Sequence, residues 1–333
     1  MKHDFISIGG ATRDISFFTD EGVLLDNHRD IKRQKLLAFE AGAKIKVDKF
    51  YYSFGGGAAN AAVYLARFGF KTAILGALGD DENGFLIREN LRTQTVDTSF
   101  LEKNKSEESG ASFVLISPGG ERIIFAQRGA NRCLKINTRQ AAALKKIPNV
   151  YIASLSGNWL STLDQVFSNL SDKTQVFWNP GQTQYAKGAD PLLPFFKKTT
   201  VLASNKDEVI DLVLNSSGYS HLRPSFLNKT ENLLKIMYSF GPRLALITMG
   251  AEGVMAFDGQ QIFFRPIIKE KKRVDVTGVG DVFNSSFAAG FVMFKGDVNK
   301  SLDLALRSAS NKVAYLGAQG ALATVPHLIK KYK

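Results

Sequence analysis

Gly278-Val279-Gly280-Asp281 brings together the residue types that an anion-holding, proton-accepting site requires. The two glycines remove side chains, so backbone N–H groups can turn toward a ligand. Val282-Phe283-Asn284-Ser285-Ser286-Phe287-Ala288-Ala289-Gly290-Phe291 follows directly and reads as a helix packed on most sides. The partial positive charge at its N-terminus completes a nest suited to phosphate oxygens. Asp281 stands at the mouth of that nest, where a carboxylate can take a proton from an attacking hydroxyl. The same residues also fit a plainer description, a turn followed by a helix that Asp281 caps.

A second glycine-rich stretch, Gly55-Gly56-Gly57-Ala58-Ala59-Asn60, opens an Ala-rich helix that Gly69 should stop. Asn60 is awkward on such an apolar helix unless its amide finds a partner, either a ligand hydroxyl or the helix backbone. The stretch is neither a Walker A loop nor a dinucleotide fingerprint, because no Gly-Lys-Ser/Thr follows and Asn60 stands where the third glycine would be. Asp14 lies just past the first strand, Phe5 to Gly10, where open α/β sheets gather their ligands; an Asx-turn would also explain it. Asn205 and Glu208 sit three apart at a helix start, able to face one site or to cap that helix. Thr248, Gly250 and Gly253 form another strand-end glycine turn that can lie along a nucleotide.

Elements of an α/β protein position these residues. Strands are expected at Thr72–Leu78, Asn149–Leu155, Gln175–Asn179, Thr200–Ala203 and Leu244–Met249, with helices between them and around Leu302–Leu316. That alternation predicts a central, mostly parallel sheet with helices on both faces. Ser112–Ser117 and Arg122–Ala126, joined by Pro118-Gly119-Gly120-Glu121, read as a hairpin. The polar stretch from about Thr19 to Tyr52 reads as an excursion from the core. Together the segments at about 12–52 and 108–130 would make a small β lid that excludes water from the reacting group.

Composition narrows the function classes. The 333 residues carry a formal net charge of +12, but the basic residues are mostly scattered, with short clusters at Lys32-Arg33-Lys35, Lys271-Lys272-Arg273 and Lys330-Lys331-Lys333. No nucleic-acid signature accompanies them, so a basic surface serving small anionic substrates is the expectation, with no nucleic-acid partner. No apolar run reaches the roughly 20 residues of a membrane span. Met1-Lys2-His3-Asp4 lacks a signal-peptide pattern, and a cytoplasmic location is expected. A single cysteine, Cys133, excludes an internal disulfide and argues against a Cys-based zinc site, and the four histidines are widely spaced with no ligand spacing.

Taken together, the glycine-rich Gly55–Asn60 stretch with Gly69 and Gly79, the Asn205-x-x-Glu208 pair, Thr248-x-Gly250-x-x-Gly253 and Asp275–Asp281 resemble, in order, the motifs of the ribokinase-like (PfkB-type) carbohydrate kinase family. The resemblance spans nearly the whole chain. It implies a ribokinase-like three-layer sandwich with a small β lid, residues 1–333 forming a single kinase domain. It implies ATP-dependent phosphorylation of a hydroxymethyl group on a sugar or sugar derivative, or on a nucleoside. Asp281 would be the base, and the amides of Gly278, Val279 and Gly280 would stabilise the phosphoryl group. Asp14, Gly56, Gly57 and Asn60 would hold the acceptor. Asn205, Thr248, Gly250, Gly253 and Asn311 would hold ATP, with Mg2+ near Asn205 and Glu208 through water and a K+ ion as a further expectation at Asp275. Lids of this type also meet face to face, which is compatible with a homodimer. Two departures point away from ribose itself: ribokinases carry Lys where Gly57 stands, and a carboxylate near Ser156-Gly157.

Overall fold

The computed structural model describes residues 2–27, 35–116, 122–269 and 273–320. The expected turn at Pro118–Glu121, His28, His327, the basic residues at 32–33 and 271–272, and those at 330–333 lie outside them.

Phe5–Ile8 and Thr72–Gly79 are runs of apolar and small residues in which every side chain is buried. Continuous burial of that kind requires a strand covered on both faces, which is how parallel sheets are built. Both strands lie inside a nine-stranded sheet, ordered 262–265, 254–257, 244–248, 201–205, 175–178, 149–152, 5–8, 72–79 and 97–104. The seven strands from 244–248 to 97–104 pair in parallel; the two at the other edge form an antiparallel hairpin. The chain is α/β, with a mostly parallel central sheet as expected.

Two apolar clusters lie on the two faces. One gathers the helices Gly57–Arg67, Glu82–Thr93, Val279–Met293 and Val298–Lys312. The other gathers Thr138–Leu144, Trp159–Asn169, Lys206–Leu214 and Thr230–Ser239. Among the described residues no helix is long and apolar enough to cross a membrane.

A separate four-stranded sheet, in the order 49–55, 12–18, 110–116 and 122–127, joins the two segments expected to form a lid. Its central pair is parallel and its outer pairs antiparallel. Register puts Ser53, Asp14, Ser112 and Ala126 in one row on one face, and Tyr52, Ile15, Phe113 and Phe125 in the next row on the other. Asp14 is buried, while Tyr52, Phe113 and Phe125 are exposed. A two-stranded ribbon, Val23–Asp26 with Lys35–Ala38, extends from the same region.

Three strands of the main sheet escape the sequence pattern. Asp97–Asn104 is polar because it is an edge strand with one neighbour. Val254–Phe257 and Ile262–Arg265 are runs of only four residues around a tight connection.

Candidate active site

The chain passes from Phe5–Ile8 to 72–79 on one side, and later to 149–152 on the other, so the sheet order reverses between 5–8 and 149–152. A crevice opens at the carboxyl ends of strands at such a reversal. The Gly9–Gly10 turn leaves the first strand here, and the Ala58 and Ala59 N–H groups both donate to the Gly10 carbonyl. Gly56 has a φ of 91°, and a Cβ on it would come within 2.5 Å of the Gly10 oxygen. Glycine is therefore required for this helix to start against the first strand. At its far end Gly69, at φ 92°, makes the left-handed stop expected of it.

Asn60, buried one turn into this helix, gives its amide N–H to Asp281 Oδ2 at 2.7 Å. Its partner is neither the helix backbone nor an open space for a hydroxyl. The Asn60 carbonyl accepts from Gln319 Nε2 at 3.2 Å, and Gln319 Oε1 accepts from Asn90 Nδ2 at 2.8 Å. Each amide fixes the orientation of the next, so Asn60 presents its N–H to the carboxylate. The turn carrying Gln319 is gripped by the Tyr64 hydroxyl on the Ala318 carbonyl and by Arg67 on the Gln319 carbonyl.

Asp281 belongs to the helix Val279–Met293, whose N-cap is Gly278 in the left-handed region at φ 75°. No side chain caps this helix, and Asp281 is its third residue, so the description of Asp281 as the cap does not hold. The first N–H groups of a helix have no intrahelical acceptor. Val279 departs from expectation here, because its N–H turns back to the Val276 carbonyl at 3.3 Å. Gly278 and Gly280 are left as the candidate amides for an anion. A Cβ on Gly280 would meet nothing within 4 Å.

Burial pushes the Asp281 carboxyl above its ordinary range; the Asn60 hydrogen bond pulls it down, and the Asp14 carboxylate adds to the rise. The helix terminus thus does not outweigh desolvation. Since the Asn60 bond favours the ionised form, Asn60→Ala should raise the Asp281 pKa further. The acid limb of the kcat/KM–pH profile would then move to higher pH. An unmoved limb would mean that Asn60 does not tune Asp281 or that Asp281 does not set the limb.

Asp14 is held by the Thr12 hydroxyl at 2.8 Å. Its carboxyl is also pushed up by burial, against hydrogen bonds from Thr12 and Ser112 and the charge of Arg13. Gly57 lies beside Asp281: a Cβ there would stand 3.6 Å from Asp281 Oδ1 and 3.0 Å from the Ala153 Cβ. Gly157, at φ 68°, could not carry a side chain without striking the Arg132 carbonyl at 2.1 Å.

On the other side of Gly280 a cleft of about 450 Å³ is lined by Asn205, Thr248, Gly250, Gly253, Val276, Val279 and Gly280, together with Arg273, Ser310 and apolar side chains. Asn311, expected near this cleft, is not among its described lining residues; Ala309 and Ser310 on the same helix are. Asn205 and Glu208 form a reciprocal capping box, Glu208 N–H to Asn205 Oδ1 at 2.8 Å and Asn205 N–H to Glu208 Oε2 at 3.1 Å. The cap is real, and it also fixes the Glu208 carboxyl against the backbone of Asn205, a residue of the cleft wall. Burial pushes that carboxyl up to about 7; hydrogen bonds from Asn205 lower it, while the charges of Asp281 and Asp207 raise it.

Asp275 is the best-fixed carboxylate of the site. Its oxygens accept from the Thr277 N–H at 2.7 Å, the Gly317 N–H at 2.8 Å and the lid residue Tyr51 at 3.3 Å. Burial raises its pKa, but the bonds from Thr277 and Gly317 and the charge of Lys312 outweigh that and leave it low. Tyr51, Asn90 and Lys312 carried no sequence signal, and Gln319 was visible only as part of a turn.

The profile of the family described as pfkB family carbohydrate kinase matches residues 26–325. Ribokinase of Bacillus subtilis is 31% identical over 288 residues, covering 86% of this chain and 89% of that protein. Arabidopsis thaliana ribokinase, solved with ribose and ATP, superposes with a TM-score of 0.77 at 20% identity, over 99% of each chain. A nucleoside kinase of Methanocaldococcus jannaschii, described as an archaeal member of the ribokinase family, gives 0.75 at 21%, over 99% of this chain and 98% of that one. The fold is ribokinase-like, and with the profile match spanning most of its length the chain belongs to the pfkB family of carbohydrate kinases.

Proposed function

We propose that this kinase transfers the terminal phosphoryl group of ATP to a hydroxymethyl group of a sugar or sugar derivative, with Asp281 as general base. One observation carries the reading. Asp281 lies at a junction, with Asn60 and Gly57 against its carboxylate on one side and Gly280, which opens on the 450 Å³ cleft, immediately before it. An acceptor on the Asn60 side and a nucleotide in the cleft would meet at this carboxylate. The Gly278 and Gly280 amides would face the transferring group, so catalysis is positioning and electrostatics. Asp14, Gly56, Gly57 and Asn60 would bound the acceptor subsite. Thr248, Gly250 and Gly253 would follow the nucleotide.

The residues 1–333 act as one domain in this reading, and the four-stranded sheet serves as the lid. Its polar row, with Asp14, faces the acceptor, while the exposed Tyr52, Phe113 and Phe125 suit a second copy of the chain and hence a homodimer.

Magnesium fits the donor set at Glu208. Among the described residues no group of three or more His, Cys, Asp or Glu could hold a metal alone. Mg2+ is commonly bound by one or two carboxylates together with substrate phosphates and water. Asn205 and Glu208 would hold it through water, and the bound ion would neutralise phosphate charge. Burial pushes the Glu208 carboxyl up to about 7, so it is the ionised form, favoured above that pH, that attracts the ion. The Mg2+ concentration for half-maximal rate should therefore fall between about pH 6 and pH 8. Glu208→Gln keeps the capping geometry and should flatten this dependence; an unchanged dependence would remove Glu208 from the metal site.

The absence of side chains at Gly57 and Gly157 leaves the acceptor subsite with fewer charges than ribose recognition would use. That favours a derivatised sugar, and as a second reading a nucleoside. A panel of sugars, sugar derivatives and nucleosides assayed for ATP consumption separates them. Turnover of no acceptor would overturn the assignment.

A further inference from the structure

Lys312 ends the helix Val298–Lys312 with its side chain 0% exposed. Its ammonium donates to the Asp275 carbonyl at 2.9 Å and the Tyr315 carbonyl at 3.3 Å, and lies 3.9 Å from Asp275 Oδ2. Lysine is almost never fully buried unless its charge is paired. Here oxygens from two segments, 273–278 and 313–317, converge on one point, and the ammonium between them offsets their mutual repulsion.

The position matters because of what Asp275 holds. Val274 and Asp275 both give their N–H to the Val313 carbonyl. The Asp275 carboxylate ties down the Thr277 N–H, one residue before the left-handed Gly278, and the Gly317 N–H. Gly278 in turn packs on Ala318, which a Cβ at Gly278 would approach to 2.7 Å. The cation therefore sits behind the anion-facing amides and sets the spacing of the loops that carry them. A potassium ion held by carbonyl and carboxylate oxygens would do the same job. In this chain the ammonium already fills that point, so the expectation of K+ at Asp275 does not fit the residues present.

We propose that the Lys312 ammonium is a built-in monovalent cation for the catalytic loop, so that this enzyme needs no free potassium or ammonium ion. The proposal rests on the kinase reading above, but part of its test does not.

Binding is read without any acceptor. In the wild-type protein, KCl should change the thermal midpoint no more than equal choline chloride does, and crystals soaked in RbCl should show no anomalous peak beside Asp275. Lys312→Ala opens the point, so its midpoint should rise in KCl but not in choline chloride, and a rubidium peak should appear there. Turnover is read on the best acceptor of the panel. The wild-type rate should differ less than about twofold between choline and potassium buffers. Lys312→Ala should lose about 10²-fold in kcat in choline and regain most of it in KCl or NH4Cl. A rubidium peak in the wild type, or wild-type turnover raised about tenfold by potassium, would overturn the proposal. So would a folded Lys312→Ala protein indifferent to potassium, which would make the lysine an ordinary buried ion pair. If Lys312→Ala does not fold, Lys312→Met and the wild-type soaks decide. Failure of every acceptor would count against the kinase reading and leave the midpoint and rubidium results standing.

Discussion

Asp281→Asn should give a folded protein whose kcat is lower by about 10²–10⁴-fold, the usual contribution of a general base. The substitution keeps size and shape and removes the proton-accepting charge. Structural roles do not predict the same loss: Gly278 is the N-cap and Asp281 makes no capping bond. The effect on stability has the opposite sign from the effect on rate. Burial raises the Asp281 pKa in the folded protein, so its protonated form is favoured there. The associated stability is present at low pH and lost as pH rises through the folded pKa. At pH 8 the partly buried carboxylate costs stability that an amide does not, whereas near pH 4 the difference shrinks. Asp281→Asn should therefore raise the thermal midpoint at pH 8 more than at pH 4. Because the Asn60 Nδ2 donor now faces an amide, the gain depends on the new side chain presenting its oxygen. Retention of more than about a tenth of the wild-type kcat would end the catalytic assignment. A midpoint that falls at pH 8 would mean that Asp281 serves the fold.

How far these roles are legible in the sequence depends on how local their causes are. Gly278, Gly280 and Asp281 are neighbours, and backbone freedom beside a carboxylate at a helix start is a local pattern. The same holds for Gly56, Gly69 and the Asn205–Glu208 pair, whose spacing encodes a helix start or stop. The buried strands at 5–8 and 72–79 were visible as apolar runs because both their faces are covered. Contacts made across the fold left no comparable trace. Gln319 meets Asn60 across 259 positions and Tyr51 meets Asp275 across 224, and nothing near either residue announces its partner. Lys312 looks like a solvated helix end until the sheet order brings it under Asp275. The direction of the Asp281 shift was also beyond sequence reach. A helix terminus alone suggests easy ionisation, whereas the enclosure that reverses this comes from the helix 57–67 packed alongside.

Gly280→Ala should separate what the fold needs from what the reaction needs. Gly278 cannot test this, because its φ of 75° and its contact with Ala318 make any side chain structurally costly. Gly280 is different: it lies within the helix Val279–Met293, its φ is not in the left-handed region, and a Cβ on it would meet nothing within 4 Å. Alanine is favoured over glycine in a helix by about 0.5–1 kcal/mol, so the variant should be as stable as the wild type or slightly more so. Its methyl group, however, would add to the wall of the 450 Å³ cleft that Gly280 lines, where the proposed mechanism puts the transferring phosphoryl group. Displacing a reacting group by about 1 Å can cost 10²-fold, and a loss of that order in kcat is expected here. Nucleotide affinity should fall less, because in the proposed reading Thr248, Gly250 and Gly253, which line the same cleft, would hold parts of the nucleotide away from the methyl group. A lowered thermal midpoint would show that the glycine is there for packing. A stable variant with wild-type kcat would show that no phosphoryl group passes beside Gly280, and the anion site would have to be sought elsewhere in the cleft.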